Sequence, residues 1–320
     1  MKKGIAILSI LILFLAFFLA CAERTADSSA GEGEEAQEYV IAYCHQPQRD
    51  DIHQIFTIHE DGTGNRKVIE APIGLNHHDC LADGKKYVAV GYVGAGFSTW
   101  SIHTFDADGA NLVRLTTEEG VWDTEPSWSP DGSRIAFTRI YPKEDRREEL
   151  WVMNSGGSDQ HFIGIAGFAP KWSPDGMRLI YASKRSDRYD IYSCAVDGTD
   201  ERQLTDTEEA DESYPVYSPD GSRIAFCAST GDYNTPENIK TIEIYTMDAD
   251  GSGVMQLTDN DHSDGLPRWS PDGTRFAFSS DRHEDFKWEV YVMNTDGTDV
   301  RRVTHSAPGV TAINPVWKLK

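Results

Sequence analysis

The chain has 320 residues, ample for one large or two ordinary domains, and a formal charge of -22. That acidity argues against nucleic acid and anionic membrane surfaces as partners. Eight Trp, thirteen Tyr, thirteen Phe and 27 Gly supply the core and turns of a β protein.

Lys2 and Lys3 precede an apolar run from Ile5 to Ala20, broken only by Ser9. A basic start followed by an apolar core too short for a comfortable membrane span reads as a secretory signal over residues 1–20. Its end, Phe18-Leu19-Ala20-Cys21, resembles the bacterial lipoprotein processing site, which implies cleavage before Cys21 and lipid on that cysteine. Cleavage removes two lysines and no acid, leaving a charge of -24. The protein is therefore expected to be exported and lipid-anchored in the cell envelope, with the periplasm or outer membrane as its place in a Gram-negative cell. Residues 22–38 hold six acids, one Arg and no large apolar residue, so residues 21–38 are expected to form a disordered tether.

From Tyr39 onward three signals alternate, each six times. One is an apolar strand: Tyr39–Cys44, Tyr87–Tyr92, Arg134–Arg139, Arg178–Ser183, Arg223–Ala228 and Arg275–Ser280. The next is a strand running into a Gly turn, as in Leu150–Gly157 and Ile244–Gly251, followed by a short piece near Leu-Thr. The third precedes a Ser-Pro-Asp-Gly turn, clean in EPSWSPDG, APKWSPDG, YPVYSPDG and LPRWSPDG, degraded in HDCLADG at His78–Gly84, and present as Asn314-Pro315-Val316-Trp317. Ser, Pro and Gly at the first, second and fourth positions predict a type I turn. Asp83, Asp131, Asp175, Asp220 and Asp272 are spaced 48, 44, 45 and 52 residues apart. Four short strands in a period of roughly 45 residues predict a β-propeller. The first unit lacks its Trp-containing strand, and one such strand stands alone at Asn314–Trp317. The expected fold is all-β: a six-bladed β-propeller over residues 39–320, with the C-terminal strand closing the first blade.

The pattern P-x-W-S-P-D-G-x-x-I-A-F, then I-Y-x-M, then L-T, resembles the WD40-like repeats of the TolB family. It is clearest in Pro126–Phe137, Pro170–Tyr181, Pro215–Phe226 and Pro267–Phe278. The resemblance implies an envelope protein that binds a partner, such as the peptidoglycan-associated lipoprotein, at the channel mouth. The α/β domain that precedes the propeller in TolB is expected to be missing, which makes this a TolB-like lipoprotein. Related repeats occur in prolyl oligopeptidase-type enzymes and oligogalacturonate lyases.

Propeller geometry puts the stereotyped turns on one face and the variable loops on the other, among them His45–Asp51, Ile140–Glu149 and Ser229–Lys240. Binding is expected on the variable face. Just before the channel-lining strands stand Asp79, Asp123, Glu125, Asp211, Glu212 and Asp264. Carboxylates grouped at the channel mouth predict negative potential and a basic protein or peptide partner. His77 and His78, beside Asp79, open a second reading, a divalent metal in an oligogalacturonate-type lyase. In that reading the metal is the cofactor; in the first there is none. The Asp-x-Asp-Gly segments at Asp106 and Asp248 read as hairpin turns, without the oxygen positions of a calcium loop. No Gly-x-Ser-x-Gly elbow or phosphate-binding glycine loop is present, so a non-catalytic, monomeric binding module is the first reading. Cys44, Cys80, Cys194 and Cys227 leave disulfides and buried thiols equally open.

Overall fold

The computed structural model describes residues 38–47, 53–69, 73–92, 99–143, 146–185, 188–208, 210–230, 242–284 and 287–320. The signal segment, Cys21 and nearly all of the tether lie outside these residues, as do parts of the loops His45–Asp51, Ile140–Glu149 and Ser229–Lys240. Glu38–Lys320 form one compact unit.

Every regular element among the described residues is a strand. The chain begins with β1 (Tyr39–Pro47), β2 (Gln54–Ile58) and β3 (Arg66–Lys67). Then come β4 (Gly74–Cys80), β5 (Lys86–Tyr92), β6 (Trp100–Asp106) and β7 (Val113–Arg114), and β8 (Trp122–Trp128), β9 (Arg134–Tyr141), β10 (Arg147–Asn154) and β11 (His161–Ala166). They are followed by β12 (Phe168–Trp172), β13 (Arg178–Lys184), β14 (Tyr189–Ala195) and β15 (Arg202–Gln203). The last are β16 (Ala210–Tyr217), β17 (Arg223–Thr230), β18 (Ile242–Asp248), β19 (Met255–Gln256), β20 (Asp264–Trp269), β21 (Arg275–Ser280), β22 (Glu289–Asn294), β23 (Arg301–Arg302) and β24 (Val310–Leu319).

These strands make a β-propeller arrangement of antiparallel sheets. β12–β15, β16–β19 and β20–β23 each form a four-stranded sheet in chain order. β4–β11 form one eight-stranded sheet, held across its middle by a single parallel pair, Trp100 with Trp122, whose rings stack 5.5 Å apart. The sheet that contains the first strand runs β24-β1-β2-β3, so the C-terminal strand fills its inner edge as expected. Apolar cores lie between successive sheets. One joins Ile41, Tyr43 and Ile58 of the first to Ala277, Val290 and Val292 of the last.

The repeated residues have repeated contacts. In the Ser129 turn the carbonyl of Ser129 accepts from the Gly132 N–H at 2.9 Å, the bond of a type I turn. The Ser129 hydroxyl donates to Asp131 Oδ1 at 2.6 Å and accepts from the Arg134 N–H at 2.9 Å. The Ser129 hydroxyl together with the N–H and hydroxyl of Ser133, which also donate to Asp131 Oδ1, hold the Asp131 carboxyl at about 2. Ser173, Ser218 and Ser270 bond in the same way. The Leu-Thr signal is not in the outer strand but directly after it. The hydroxyls of Thr116, Thr205, Thr258 and Thr304 accept the N–H of Ile102, Ile191, Ile244 and Val290 at 2.8–2.9 Å, satisfying donors the short outer strand leaves open.

The Asp-Gly turns tie neighbours together. A Cβ on Gly198 would lie 2.0 Å from the Ile163 carbonyl oxygen, and φ is +81°, so glycine alone fits. Gly251, Gly297, Gly157, Gly109 and Gly62 press in the same way on the carbonyls of Leu204, Leu257, Leu115, Val68 and Val303. The last of these contacts returns from the first sheet to the final one.

Candidate functional site

The inner strands β4, β8, β12, β16, β20 and β24 carry a bulge each, and at each bulge one residue is left-handed: His77, Glu125, Ala169, Tyr214, Leu266 and Asn314. In five of the six, proline follows, in a bulge where no ladder donor is required. Neighbouring strands satisfy the bulge N–H groups. Thr138 Oγ1 accepts from Ala169 at 3.0 Å, Ser279 Oγ from Asn314 at 3.2 Å and Cys227 Sγ from Leu266 at 3.2 Å. Cys44, Cys80, Cys194 and Cys227 are all free and buried, and burial pushes each thiol up to about 12.

The bulges define a channel with two ends. On the variable-loop side a cavity of 450 Å³ is lined by His77, Tyr214, Leu266, Trp288, Ile313 and Asn314 among others. On the turn side a cavity of 360 Å³ is lined by Asp79, Lys171, Arg268 and the tryptophans at the ends of the inner strands.

The six candidate acids stand along the inner strands in different company. Asp123 is 1% exposed and accepts from Arg139 Nε at 2.7 Å and Nη2 at 3.0 Å. Asp211 accepts from Arg188 at 2.7 Å and the Tyr189 N–H at 2.9 Å. Asp264 accepts from Arg282 at 2.5 Å and Asn260 at 2.7 Å. Asp79 accepts the N–H groups of Cys80 at 2.9 Å and Trp128 at 3.0 Å. Glu125 pairs with His77. Three arginines thus offset three of the acids, which lowers the negative potential expected of open carboxylates.

Among the described residues Glu212 Oε2 has no partner, and neither does the Oδ1 of Asp264, whose other oxygen meets Arg282. Glu243, which the sequence analysis passed over, shares the situation of Glu212. Both lie opposite Ala228, one on each side, and the Oε2 of Glu243 is also unpartnered. In the corresponding row of β8–β10, Arg139 lies between Asp123 and Glu149. Burial pushes both Glu212 and Glu243 up to about 7. The folded state therefore holds protons that the unfolded chain releases near the ordinary 4.5. Stability from this source is complete below 4.5 and is lost as pH rises through 7. Glu212→Gln is expected to stabilise the protein by about 1–3 kcal/mol at alkaline pH and to have little effect in acid. Urea denaturation at the two pH extremes checks this; an equal effect at both would refute the assignment.

His77 and His78 diverge. Burial disfavours a charged His77, but the Glu125 carboxylate outweighs it and raises the pKa. His78 is 3% exposed, neither ring nitrogen has a partner, and burial lowers it to about 3. Among the described residues no three His, Cys, Asp or Glu side chains are grouped to hold a metal ion.

Lys171 and Arg268 were also missed. They occupy the position between Pro and Trp, and only the bulge turns that position to the channel. Burial lowers Lys171 to about 8, helped by the nearby Arg268.

A family model described as the TolB beta propeller domain matches residues 86–233. The chain is 30% identical over 199 residues to an uncharacterised protein of Agrobacterium fabrum, covering 59% of this chain and 64% of that one. It is 33% identical over 174 residues to the Tol-Pal system protein TolB of Anaeromyxobacter dehalogenans, covering 54% and 27%. It spans less than two thirds of the length of these curated relatives. Among solved structures, TolB from Acinetobacter baumannii superposes with a TM-score of 0.69 at 20% identity, over 88% of this chain and 66% of that one, a likeness of fold.

Proposed function

This chain carries a TolB-like β-propeller, and from that premise we propose that it is a non-catalytic protein-binding module of the bacterial cell envelope. In this reading the ring has six blades, with the eight-stranded sheet counted as two that touch at Trp100 and Trp122. Six left-handed inner-strand residues and a closed cycle of six glycine contacts support that count. The protein is exported, lipidated at Cys21 and works as a monomer without a cofactor. Similarity to a Tol-Pal system protein supports the envelope location.

The observation that carries the binding role is the 450 Å³ cavity at the variable-face mouth. Tyr214, Leu266 and Trp288 give it walls suited to an apolar anchor, with the His77–Glu125 pair beside it. Asp79, Asp123, Glu125, Asp211, Glu212 and Asp264 surround the channel in this proposal.

The soluble domain of the host's peptidoglycan-associated lipoprotein is the first partner to test. Calorimetry is expected to show binding that Trp288→Ala weakens roughly tenfold or more, with the thermal midpoint little changed. Absence of binding by the native chain would remove this partner, and full affinity in Trp288→Ala would remove the mouth cavity.

A further inference from the structure

We propose that the turn-side end of the channel is a binding site for an organic carboxylate, held by Lys171 and Arg268. This site lies at the opposite end from the mouth discussed above and does not depend on that reading.

Lys171 is 7% exposed, and among the described residues its ammonium makes one polar contact, with the Pro126 carbonyl at 3.5 Å. Arg268 donates to the carbonyl of its own neighbour, Pro267, at 3.2 Å. Among the described residues neither cation lies within ion-pairing distance of a carboxylate. Burying a cation such as Lys171 without counter-charge is costly, and a second, half-buried cation, Arg268, facing the same cavity points to an anion that completes the site. The carboxylates nearby are already engaged. Both oxygens of Asp79 accept backbone N–H groups, and Glu125 is held by His77.

Trp128, Trp269 and Trp317 line the same cavity. Charge narrows the choice. Lys171 and Arg268 against Asp79 leave one positive charge on the wall, which a monoanion neutralises. The Trp and Pro surfaces around it suit an organic body, and a guanidinium presents paired donors to a carboxylate. The 360 Å³ volume admits a small acid or the last residue of a chain.

The tryptophans provide the readout. Intrinsic fluorescence is followed while the full chain is titrated with benzoate, with benzamide, and with a tripeptide ending in phenylalanine as its free acid and its C-terminal amide. At least one acid is expected to bind saturably, and its amide roughly tenfold more weakly or not at all. Tighter binding of benzoate identifies a free small acid as the ligand class, and tighter binding of the peptide acid identifies a chain terminus. Lys171→Met and Arg268→Met are expected to weaken the acid roughly tenfold or more, and Lys171→Arg to retain binding. Thermal melting checks the fold, and Lys171→Met, which removes a buried unpaired charge, is expected to melt no lower than the native chain. Equal binding of acid and amide, binding of neither, or full affinity in both methionine variants would overturn the proposal.

Discussion

Asp123→Ala is expected to lower the unfolding free energy by about 3–5 kcal/mol. The carboxylate is 1% exposed and takes two hydrogen bonds from the Arg139 guanidinium, itself 5% exposed and stacked 4.3 Å over the Trp151 ring. Removing the acid takes away the carboxylate that the guanidinium bonds, while Glu149 across the strand pairs with Arg147, and most of the loss comes from that buried cation. The double substitution Asp123→Ala with Arg139→Met should therefore recover most of the stability, because a thioether chain can lie on Trp151 without charge. Guanidinium denaturation of the two single variants and the double variant measures this coupling. A loss below about 1 kcal/mol in Asp123→Ala would show that the pair contributes no more than a surface ion pair. The result also bears on function. A charge reversal at Asp123 would set two cations against each other, so lost binding in such a variant would report unfolding. Trp288, at the mouth, is the cleaner probe of partner binding.

A chain lacking residues 310–320 is expected to lose cooperative folding altogether. β24 pairs with β1 from Tyr39–Leu319 to Pro47–Val310 and supplies the inner strand of that sheet. Without it β1 presents a bare edge to the channel. Val316 and Trp317, 6% and 7% exposed, contribute roughly 3–6 kcal/mol by burial alone. That is a large share of the roughly 5–15 kcal/mol that stabilises a domain. The core that joins the first sheet to the last also loses Ala312 and Trp317. Circular dichroism should show no sharp thermal transition, and a synthetic peptide of the missing strand should restore one. A shortened chain that still melts cooperatively would show that the ring does not need this strand.

The degree to which the site was legible follows from how local each interaction is. Ser129, Asp131 and Gly132 bond within five residues, so the turn and the strands around it could be read directly from their spacing. The stranded Asn314–Trp317 segment required a partner at the start of the chain, and the β24–β1 pairing supplies it. The acids were legible as positions but not as charges. Arg139, Arg188 and Arg282 lie 16, 23 and 18 residues from the carboxylates they meet; strand register sets the first meeting, and the other two come from arginines just before β14 and just after β21.

What the sequence determined by itself is the repeated hairpin, the alternation that buries one face against the next sheet, and the closure by a split unit. All three depend on local turn chemistry and a period of two along each strand. The tertiary structure alone decided which polar groups remain uncompensated. Glu212 and Glu243 come together only because Ala228 lies between them in register. Lys171 and Arg268 reach the channel only because a left-handed bulge residue precedes each inner tryptophan and turns the strand. Charge in a protein is governed by burial and by neighbours across the fold, and neither is a property of the residue's place in the chain.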